Sequence, residues 1–358
     1  MSYTLALGPF NPAWRGPQRL LLKIEGEAVI DVTYRAGYNE RGCTERLARL
    51  PLDQALFLVS RICGPCSHAH TLAFCQALET LAGLAVPERA AYLRCAVAEA
   101  ERLLSHLETL TNLFALLELP RFTKPLQQLK AQARQTLLLL TGRPTIPDIC
   151  LPGGLRHDLS AECRSRLLGL LTEIKQSLFK LGERVIDDRI LFARTVDVGI
   201  LTPSAATQFQ LRGPLARASG LSADLRLDQP YAAYGQLEGK RMVQEGGDVN
   251  TRLTVLLLEA LESTKLAAQA LEKLPAGPWQ GLMPTKVPAG QATGAVESPR
   301  GLLRYTVESD GEHLTAVTLD APHQLERLVA RTLLVGALLD NVMLITQSTD
   351  HCVACAEG

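Results

Sequence analysis

The sequence predicts a mainly α-helical protein of the α+β class: a large helical bundle body with small β hairpins or a sheet near the N-terminus and before the last helix. Long stretches with apolar residues at helical spacing fill most of the 358 residues. Two short segments rich in β-branched residues, each with a tight-turn sequence at its centre, lie near the two ends. We expect a single domain over residues 1–358, with a β region at about 1–50 and a helical body at about 51–358.

The first predicted element is a strand pair at residues 20–34, around the turn Glu25-Gly26-Glu27. Ser67 is a candidate cap for the helix that follows, and Pro87 suits the first turn of the next. The Glu and Arg side chains of that second helix are expected on the face opposite its apolar residues. Amphipathic helices are predicted at 67–84, 87–117, 125–140, 161–191 and 248–274.

The C-terminal part has a second β signal and one more helix. Residues 303–318 are predicted to form a hairpin around Ser309-Asp310-Gly311. A last helix is expected at roughly 322–345. The segments 212–234 and 284–301 are rich in glycine, proline and charge, and are predicted to be loops.

The composition excludes several classes of protein. The chain has 37 basic and 37 acidic side chains, which gives no reason to expect nucleic acid or an anionic membrane surface as a partner. The apolar runs at 137–140 and 333–339 are too short to span a bilayer, and residues 1–9 lack a secretory pattern. Nine cysteines, an odd number, favour a reducing compartment over a disulfide framework.

Four of the cysteines form two Cys-x-x-Cys pairs, Cys63/Cys66 and Cys352/Cys355. Thiolates bind soft or borderline metals, and a two-residue spacer lets one turn present both sulfurs to one ion. The helix predicted after Cys66 has its positive end near the sulfurs, which favours the thiolate form. We therefore expect the two pairs to hold one metal centre, whose metal the spacing alone does not specify.

The pairs have other interpretations. Zinc ribbons use pairs much closer in sequence, so an ordinary ribbon is disfavoured, although closing a long loop costs little more than closing a short one. Two unrelated pairs of buried thiols are the alternative. The remaining cysteines are expected to be ordinary small buried residues: Cys43, Cys75, Cys95, Cys150 and Cys163.

Both pairs lie in longer motifs. Residues 61–70 are Arg-Ile-Cys-Gly-Pro-Cys-Ser-His-Ala-His, and residues 350–355 are Asp-His-Cys-Val-Ala-Cys. These motifs resemble the two signatures of nickel–iron hydrogenase large subunits. Other blocks, in the family's order, resemble its energy-converting, membrane-complex branch, which is related to the quinone-site subunit of respiratory complex I; they lie at 8–12, 37–42, 213–226, 230–231, 247–249 and 297–301.

The resemblance implies a nickel–iron centre held by the four cysteines. Cys63 and Cys352 would be terminal nickel ligands, and Cys66 and Cys355 would bridge nickel and iron. In the family the iron has carbon monoxide and cyanide ligands. Four soft thiolates suit nickel or zinc better than hard ions. Magnesium is a further candidate cofactor.

Four other residues match family positions that have chemical roles. Glu25 matches a glutamate that relays protons from a terminal thiolate; its alternative is a solvated turn residue. His70 matches a histidine that hydrogen-bonds a bridging sulfur; its alternative is a partly buried helix residue. Arg300 matches an arginine poised over the metals, and otherwise is a surface loop residue. Asp350 matches the aspartate that pairs with this arginine, and otherwise is a turn residue.

The chain also departs from the family pattern. Asn11 and Glu40 stand where histidine is usual, Thr44 where glutamate is usual, and His351 where proline is usual. Gly358 stands where many relatives have the His or Arg after which a peptidase trims the C-terminus. These changes leave the four thiolates intact but weaken the step from metal centre to hydrogenase activity.

The function implied by the resemblance is the catalytic large subunit of an energy-converting nickel–iron hydrogenase, with reversible oxidation of H2 and reduction of protons. No further cysteines have iron–sulfur spacing, so electrons are expected to leave through an iron–sulfur small subunit. The other implied partners are integral-membrane antiporter-like subunits, a ferredoxin-like electron carrier and maturation proteins. The expected location is cytoplasmic, peripheral on the inner face of the cell membrane.

Two other functions compete with this one. The first is a complex I-like subunit of a quinone or ion-pumping module without hydrogenase activity. The four cysteines argue against it, because the quinone-site relatives have lost them. The second is a structural protein with zinc in the thiolate site, against which the resemblance along the whole chain and Arg300 argue.

Overall fold

The computed structural model describes residues 2–283, 286–322 and 325–357. Its strands are β1 (Ser2–Leu7), β2 (Arg19–Glu25), β3 (Ala28–Arg35), β4 (Cys150–Leu151), β5 (Gly154–Leu155), β6 (Gly290–Ser298), β7 (Gly301–Ser309) and β8 (Leu314–Asp320). Its α-helices are α1 (Cys43–Leu47), α2 (Leu52–Val59), α3 (Ser67–Ala82), α4 (Glu88–Leu116), α5 (Pro120–Thr141), α6 (Ala161–Ile186), α7 (Arg189–Thr195), α8 (Pro203–Gln208), α9 (Gly213–Arg217), α10 (Leu225–Asp228), α11 (Val249–Glu272), α12 (Arg327–Leu334), α13 (Val342–Ser348) and α14 (Val353–Ala356). The predicted fold class, mainly α with small antiparallel sheets, is confirmed.

The N-terminal sheet has the order β1-β2-β3 and is antiparallel. Along β2, Leu20, Leu22 and Ile24 are buried while the residues between them are exposed, the period-two pattern of a sheet with one face on the core. Gly26 forms the turn between β2 and β3 with φ 62°, a conformation that glycine adopts without strain. The predicted strand pair is confirmed, and β1 adds a strand that was not predicted.

Helix α4 is the centre of the helical body. It packs against α5 and α11, and α6 packs against both of these helices. Because neighbours cover α4 on most sides, the expectation of a separate Glu and Arg face is wrong for four buried residues: Arg94, Glu99, Glu101 and Arg102. Ion pairs replace water for some of them, as between Arg94 and Glu79 (2.6 Å).

Three predicted helices have different bounds in the structure. Helix α5 begins at Pro120, so that Pro125 lies inside it. The helix predicted at 161–191 ends at Ile186, and the side chain of Asp188 then caps α7. The last predicted helix is divided into α12, a 3-10 turn at Leu339–Asn341 and α13.

The interruption between α12 and α13 has a tertiary cause. Gly336 has φ 88°, and its N–H donates to the Val29 carbonyl, while the Val29 N–H donates to the Ala337 carbonyl. The backbone therefore leaves the helix to bond to β3. Two residues of this predicted helix, 323–324, lie outside the described residues.

The segment 284–301 was predicted to be a loop, and this is wrong for most of its length. It contains β6, which pairs with β7 and extends the predicted hairpin to a sheet of order β6-β7-β8. Its small residues are typical of a loop, but they let the strand lie close to α3: a Cβ on Gly294 would be 2.1 Å from the Ala73 carbonyl oxygen. Residues 284–285 lie outside the described part of the chain.

Candidate metal centre

The two Cys-x-x-Cys pairs meet in one buried cluster. The sulfurs of Cys63, Cys66 and Cys355 lie within 4.8 Å of one another. Cys63 Sγ and Cys352 Sγ are 3.8 Å apart. All four side chains are at most 2% exposed. The interpretation as two unrelated pairs of thiols does not fit this arrangement.

Both pairs have the same local structure. Cys63 is extended (φ −140°, ψ 119°) and precedes the 3-10 turn Gly64–Cys66, which leads directly into α3. Cys352 is also extended (φ −142°, ψ 110°) and precedes α14, on which Cys355 lies. In each pair the first cysteine is extended and the second lies in a helical turn, and this geometry brings both sulfurs into the shared cluster.

The donor set fits a soft or borderline metal. Two thiolates bound at ~2.3 Å to a tetrahedral ion lie ~3.8 Å apart, which agrees with the separation of Cys63 and Cys352. Four sulfurs favour nickel, zinc or iron over magnesium or calcium. Elsewhere in the described ranges, no group of three or more His, Cys, Asp or Glu ligand atoms lies within 4.8 Å of one another; magnesium as a further cofactor stays a prediction.

The pKa values of the four thiols depend on the hydrogen bonds among them. Hydrogen bonds from Cys352, Cys63 and Cys66 hold the pKa of Cys355 well below its usual value. The pKa values of the other three are raised, that of Cys352 to about 12, chiefly because hydrogen bonds to neighbouring sulfurs stabilise their protonated forms. Cysteines bind a metal as thiolates, so metal binding must displace the protons that these thiols hold.

Arg300 lies at the two-residue tip of the β6–β7 hairpin, where Ser298 pairs with Gly301. Its Nη1 donates to Cys66 Sγ (3.1 Å) and its Nη2 to Asp350 Oδ1 (3.0 Å). Its Nε donates to the Asp350 carbonyl oxygen (2.8 Å). Because the side chain is 1% exposed, the alternative of a surface loop arginine is wrong. The hairpin fixes a cation against a sulfur of the cluster.

The approach of this hairpin tip depends on a glycine in α9. Gly213 has φ 67°, and a Cβ at this position would lie 2.3 Å from the Arg300 carbonyl oxygen. The block at 213–226, which resembles the hydrogenase family, therefore packs against the backbone of Arg300 and supports its position.

Arg15 is a second cation at the site, and no sequence pattern singled it out. Its Nη1 donates to Asp350 Oδ1 (3.0 Å) and its Nη2 to Thr109 Oγ1 (3.0 Å). The Thr109 hydroxyl also donates to Asp350 Oδ1 (2.6 Å). Asp350 thus accepts from both Arg300 and Arg15. The pairing with Arg300 is the one predicted for it, and Arg15 is one more guanidinium. Arg15 lies in a loop far away in sequence, so only the tertiary structure reveals it.

His70 lies on the first turns of α3 and is fully buried. Its Nε2 is 3.4 Å from Cys355 Sγ, and its Nδ1 is 2.8 Å from the Tyr305 hydroxyl on β7. The hydroxyl partner orients the ring, and the ring contacts a sulfur, as the resemblance implies for this position.

Glu25 does not join the cluster. It is an exposed residue at the end of β2, opposite Ser2 and Ala28 in the sheet register. The structure favours the alternative of a solvated turn residue, because the cysteines are buried and Glu25 is in solvent. Glu25 lies at the end of the central strand, next to the turn, a location that sequence spacing could not show.

A polar chain lies beside Cys352 instead. His351 Nε2 is 2.6 Å from Gln18 Nε2, and its Nδ1 is 3.1 Å from both the Thr346 carbonyl oxygen and the Thr349 hydroxyl. Gln18 Oε1 in turn accepts from the Tyr34 hydroxyl (2.9 Å). His351, the departure from the usual proline, thus has a structural role in holding the turn before Cys352. Gln18 was not singled out by the sequence.

The C-terminal segment is tied to the start of the chain. Arg41 Nη2 donates to the carbonyl oxygens of Ile62 (2.7 Å) and Ala354 (2.8 Å), one from each cysteine segment. The Glu357 carboxylate accepts from the backbone N–H groups of Gly37 and Asn39. The block at 37–42 therefore holds the two pairs together. Gly358 lies outside the described residues.

The other cysteines stand apart from the four-sulfur cluster. Cys43, Cys75, Cys95 and Cys150 are buried, as predicted, whereas Cys163 on α6 is only partly buried. Within the described ranges, no helix is long and apolar enough to cross a membrane.

Comparisons with known proteins find relatives along nearly the whole chain. The family described as nickel-dependent hydrogenase matches residues 41–141, and the family described as respiratory-chain NADH dehydrogenase, 49 Kd subunit, matches residues 128–285. The carbon monoxide-induced hydrogenase of Rhodospirillum rubrum is 29% identical over 99% of both chains. Formate hydrogenlyase subunit 5 of Escherichia coli is 31% identical over 98% of this chain, which spans 62% of that protein.

A further relative and a solved structure are also similar to this chain. An NADH-quinone oxidoreductase subunit of Salinispora tropica is 34% identical over 86% of this chain and 80% of its own. A chain in the structure of the membrane-bound sulfane sulfur reductase, an archaeal respiratory membrane complex, has a TM-score of 0.93 at 26% identity and covers 100% of this chain and 98% of its own. The chain belongs to the family of large subunits shared by complex I-related, energy-converting hydrogenases and the NADH-quinone oxidoreductases.

Proposed function

We propose that this protein is the catalytic large subunit of an energy-converting nickel–iron hydrogenase, which oxidises H2 and reduces protons reversibly. The observation that supports this most directly is the buried four-sulfur cluster with Arg300 held against Cys66. A structural zinc site has no need of a buried guanidinium on one of its sulfurs. A site that handles developing charge does, because a fixed cation in a water-poor site costs no reorganisation during the reaction.

The residues present fit the proposed centre. Cys63 and Cys352 would hold nickel, and Cys66 and Cys355 would hold both nickel and an iron with carbon monoxide and cyanide ligands. When bound, this centre supplies the place where H2 is split and its two electrons are taken up. The protein's own groups orient the sulfurs: Arg300 donates to Cys66, and His70 lies against Cys355.

The electrons need a way out of the chain. The partners we propose are an iron–sulfur small subunit, antiporter-like membrane subunits, a ferredoxin-like electron carrier and maturation proteins that insert the metals. The relatives in formate hydrogenlyase and in an archaeal respiratory membrane complex support this kind of assembly. The protein would then lie on the inner face of the cell membrane, held there by the complex.

The test is metal analysis and infrared spectroscopy of the complex purified after expression with its maturation proteins. We expect nickel and iron in equal amounts and the stretching bands of carbon monoxide and cyanide. We also expect exchange of H2 with D2O. Zinc alone, or no metal, would contradict the proposal.

Cysteine variants sharpen this test. Cys63→Ser and Cys352→Ser should each lose nickel and reduce the exchange to background, because one thiolate of four is replaced by a poor ligand for a soft metal. Cys163→Ser is the matched control, since Cys163 is partly exposed on α6, and it should keep full metal content. Activity that survived Cys63→Ser or Cys352→Ser would remove that residue as a ligand.

A second candidate function is a component of a quinone or ion-pumping module without hydrogenase activity. The 34% identity to a subunit of an NADH-quinone oxidoreductase favours it, since the carbon monoxide-induced hydrogenase is 29% identical. The same purified complex decides between the two. Quinone reduction without nickel and without H2 exchange would support the second candidate.

A further inference from the structure

The proposed function, on which this inference rests, requires protons to move between the cluster and solvent. Glu25 is exposed at the end of β2 and is not beside the sulfurs. Asp350 Oδ1 accepts hydrogen bonds from Arg300, Arg15 and Thr109, so this carboxylate serves to hold the two guanidiniums. The polar chain at His351 continues into the amide of Gln18, a group that does not titrate in the physiological range.

Glu101 is a buried carboxyl group that none of these contacts uses. Its Oε1 accepts from the His68 backbone N–H (2.6 Å) and its Oε2 from the Ala69 backbone N–H (3.0 Å). The carboxyl group therefore lies on the first turn of α3, directly after Cys66. The side chain comes from α4, so that the central helix and the cysteine turn meet at this point.

Glu101 lines a cavity of about 210 Å³, which has room for several water molecules. Its lining also includes Gly64, Pro65, Ser105, Glu108, Leu137 and Thr145. Gly64 and Thr145 are exposed, so the cavity reaches the surface. Glu108 has a 25% exposed side chain, pairs with Arg134 (3.1 Å) and stands at the outer part of the cavity.

The cavity is also connected to the cluster. Ser105 Oγ accepts from Arg300 Nη2 (3.2 Å), while Nη1 of the same guanidinium donates to Cys66 Sγ (3.1 Å). The Arg300 side chain thus connects Ser105, which lines the cavity, to the sulfur of Cys66. Glu101 is the carboxyl group on the inner wall of this cavity.

The surroundings of Glu101 set its proton affinity. Burial raises the pKa of Glu101 to about 8; the N–H groups of His68 and Ala69 and the charge of Arg102 oppose this rise, and Cys355 adds to it. Across the cavity the charged group is Glu108, whereas the lining residues from α5 and from 145–147 are uncharged. An acid with such a pKa both takes up and releases protons near neutral pH.

We propose that Glu101 is the proton carrier between the Cys66 side of the cluster and this cavity. In the outward step, the Glu101 carboxylate gains the proton that a cluster sulfur releases, through a water molecule in the cavity. It then gives this proton to cavity water, from which Glu108 and bulk solvent take it. No electrons move in this step, and the reverse sequence delivers protons to the cluster.

The first test does not depend on hydrogenase activity. In the purified complex, the infrared band of the protonated Glu101 carboxyl group should be present below about pH 8, the pKa set by burial. It should shift within seconds of transfer into D2O, and it should be absent in Glu101→Gln. A carboxyl band that stays undeuterated, or no difference between wild type and variant, overturns the proposal.

The second test uses turnover. Glu101→Gln keeps the shape of the side chain and one of the two oxygens that accept from backbone N–H groups, so the metals should stay bound while exchange of H2 with D2O falls by ~100-fold or more. Glu101→Asp should recover part of the rate and move the pH profile. Glu88→Gln, an exposed residue at the start of the same helix, should match the wild type. Exchange by Glu101→Gln within twofold of wild type, with the same pH profile, overturns the proposal.

The two proposals fail in different ways. A wild-type complex without nickel, iron or exchange would remove the hydrogenase function and, with it, the need for a proton route. A wild-type complex that exchanges H2 normally, with an unreactive Glu101, would leave the function intact and remove Glu101 alone from the route.

Discussion

At the scale of single residues, the site is defined by charges that are kept out of water. Arg300 and Arg15 both donate to Asp350, and Arg300 also donates to Cys66. Removing one partner of such a buried group leaves the other uncompensated, which is strongly destabilising. The arrangement is therefore sensitive to shape as well as to charge. A lysine keeps the charge of an arginine but not its planar fork.

Arg300→Lys is expected to lower the exchange of H2 with D2O by roughly 10²–10³-fold, the cost typical of removing one preorganised donor. The reason is that one ammonium group cannot reach the Cys66 sulfur, the Asp350 carboxylate and the Asp350 carbonyl from one position. The measurements are the exchange rate and the metal content of the purified complex.

The control for this variant is Arg304→Lys on the same hairpin. Arg304 is 45% exposed and lies 3.8 Å from Asp320, an ion pair in solvent, so its replacement should change neither rate nor stability measurably. If Arg300→Lys exchanged hydrogen at the wild-type rate, the guanidinium would have no part in the reaction.

At the scale of elements, the position of Arg300 and Tyr305 depends on how closely the β6–β7 hairpin packs on α3. Gly294 makes this packing possible, because β6 lies where any side chain at this position would meet the backbone of α3. Tyr305 in turn holds His70 beside Cys355. A local change at the strand should therefore reach the metal centre.

Gly294→Ala is expected to destabilise the protein by about 1–3 kcal/mol, the usual cost of overpacking, and to lower metal content. The added Cβ would lie 2.1 Å from the Ala73 carbonyl oxygen and 2.5 Å from the Ala77 nitrogen. Thermal unfolding of the purified protein measures the first effect and metal analysis the second.

Gly182→Ala on α6 is the matched control. A Cβ there has nothing within 4 Å, and alanine favours a helix over glycine by about 0.5–1 kcal/mol. The midpoint of thermal unfolding should therefore rise slightly in Gly182→Ala and fall in Gly294→Ala. Equal midpoints would show that β6 does not press on α3 as described.

At the scale of the whole molecule, a cluster of buried ion pairs joins the helical body to the site. Its guanidiniums are Arg102, Arg217 and Arg226, and its carboxylates are Glu99, Asp224, Glu259 and Glu297. The Arg102 guanidinium donates to the carbonyl oxygens of Glu297 and Ser298, next to the Arg300 turn. Residues from α4, α9, α10, α11 and β6 meet here, so the cluster links distant parts of the chain.

This cluster should make the folded chain less stable as the pH falls. Burial alone would raise the pKa of Asp224, but Arg226 and then Arg217 hold it at about 2, below the ordinary value of 3.8. Because the folded state has the lower pKa, the stabilisation is present above pH 3.8 and is lost as the pH falls toward 2. Asp224→Asn should therefore lower the unfolding midpoint most near neutral pH, and the gap to wild type should narrow in acid.

Asp320→Asn serves as the comparison, since Asp320 is 42% exposed and pairs with Arg212 in solvent. Its midpoint should follow the wild type across the pH range. A gap for Asp224→Asn that stayed constant down to pH 2 would show that the charge of Asp224 is not what stabilises the fold.

The sequence was sufficient for features that depend on local pattern. The β2–β3 hairpin and helices α3, α4 and α11 were predicted because their apolar periodicity and turn residues agree with their final environment. β6 was missed because its small residues lack such a pattern. The helix at 322–345 was wrong as one continuous helix because the bonds between β3 and Gly336 and Ala337, which interrupt it, are long-range.

By itself, the sequence determined the chemistry available to this protein: four cysteines in two matched spacers, a basic residue at 300, and a resemblance along the whole chain. Only the tertiary structure decided which polar groups stand beside the sulfurs. It brings Arg15 to Asp350, Gln18 to His351 and Glu101 to the first turn of α3, and it leaves Glu25 in solvent. The physical reason is that ligand spacing within a turn is a local property, whereas the burial and pairing of charges depend on which distant elements pack together.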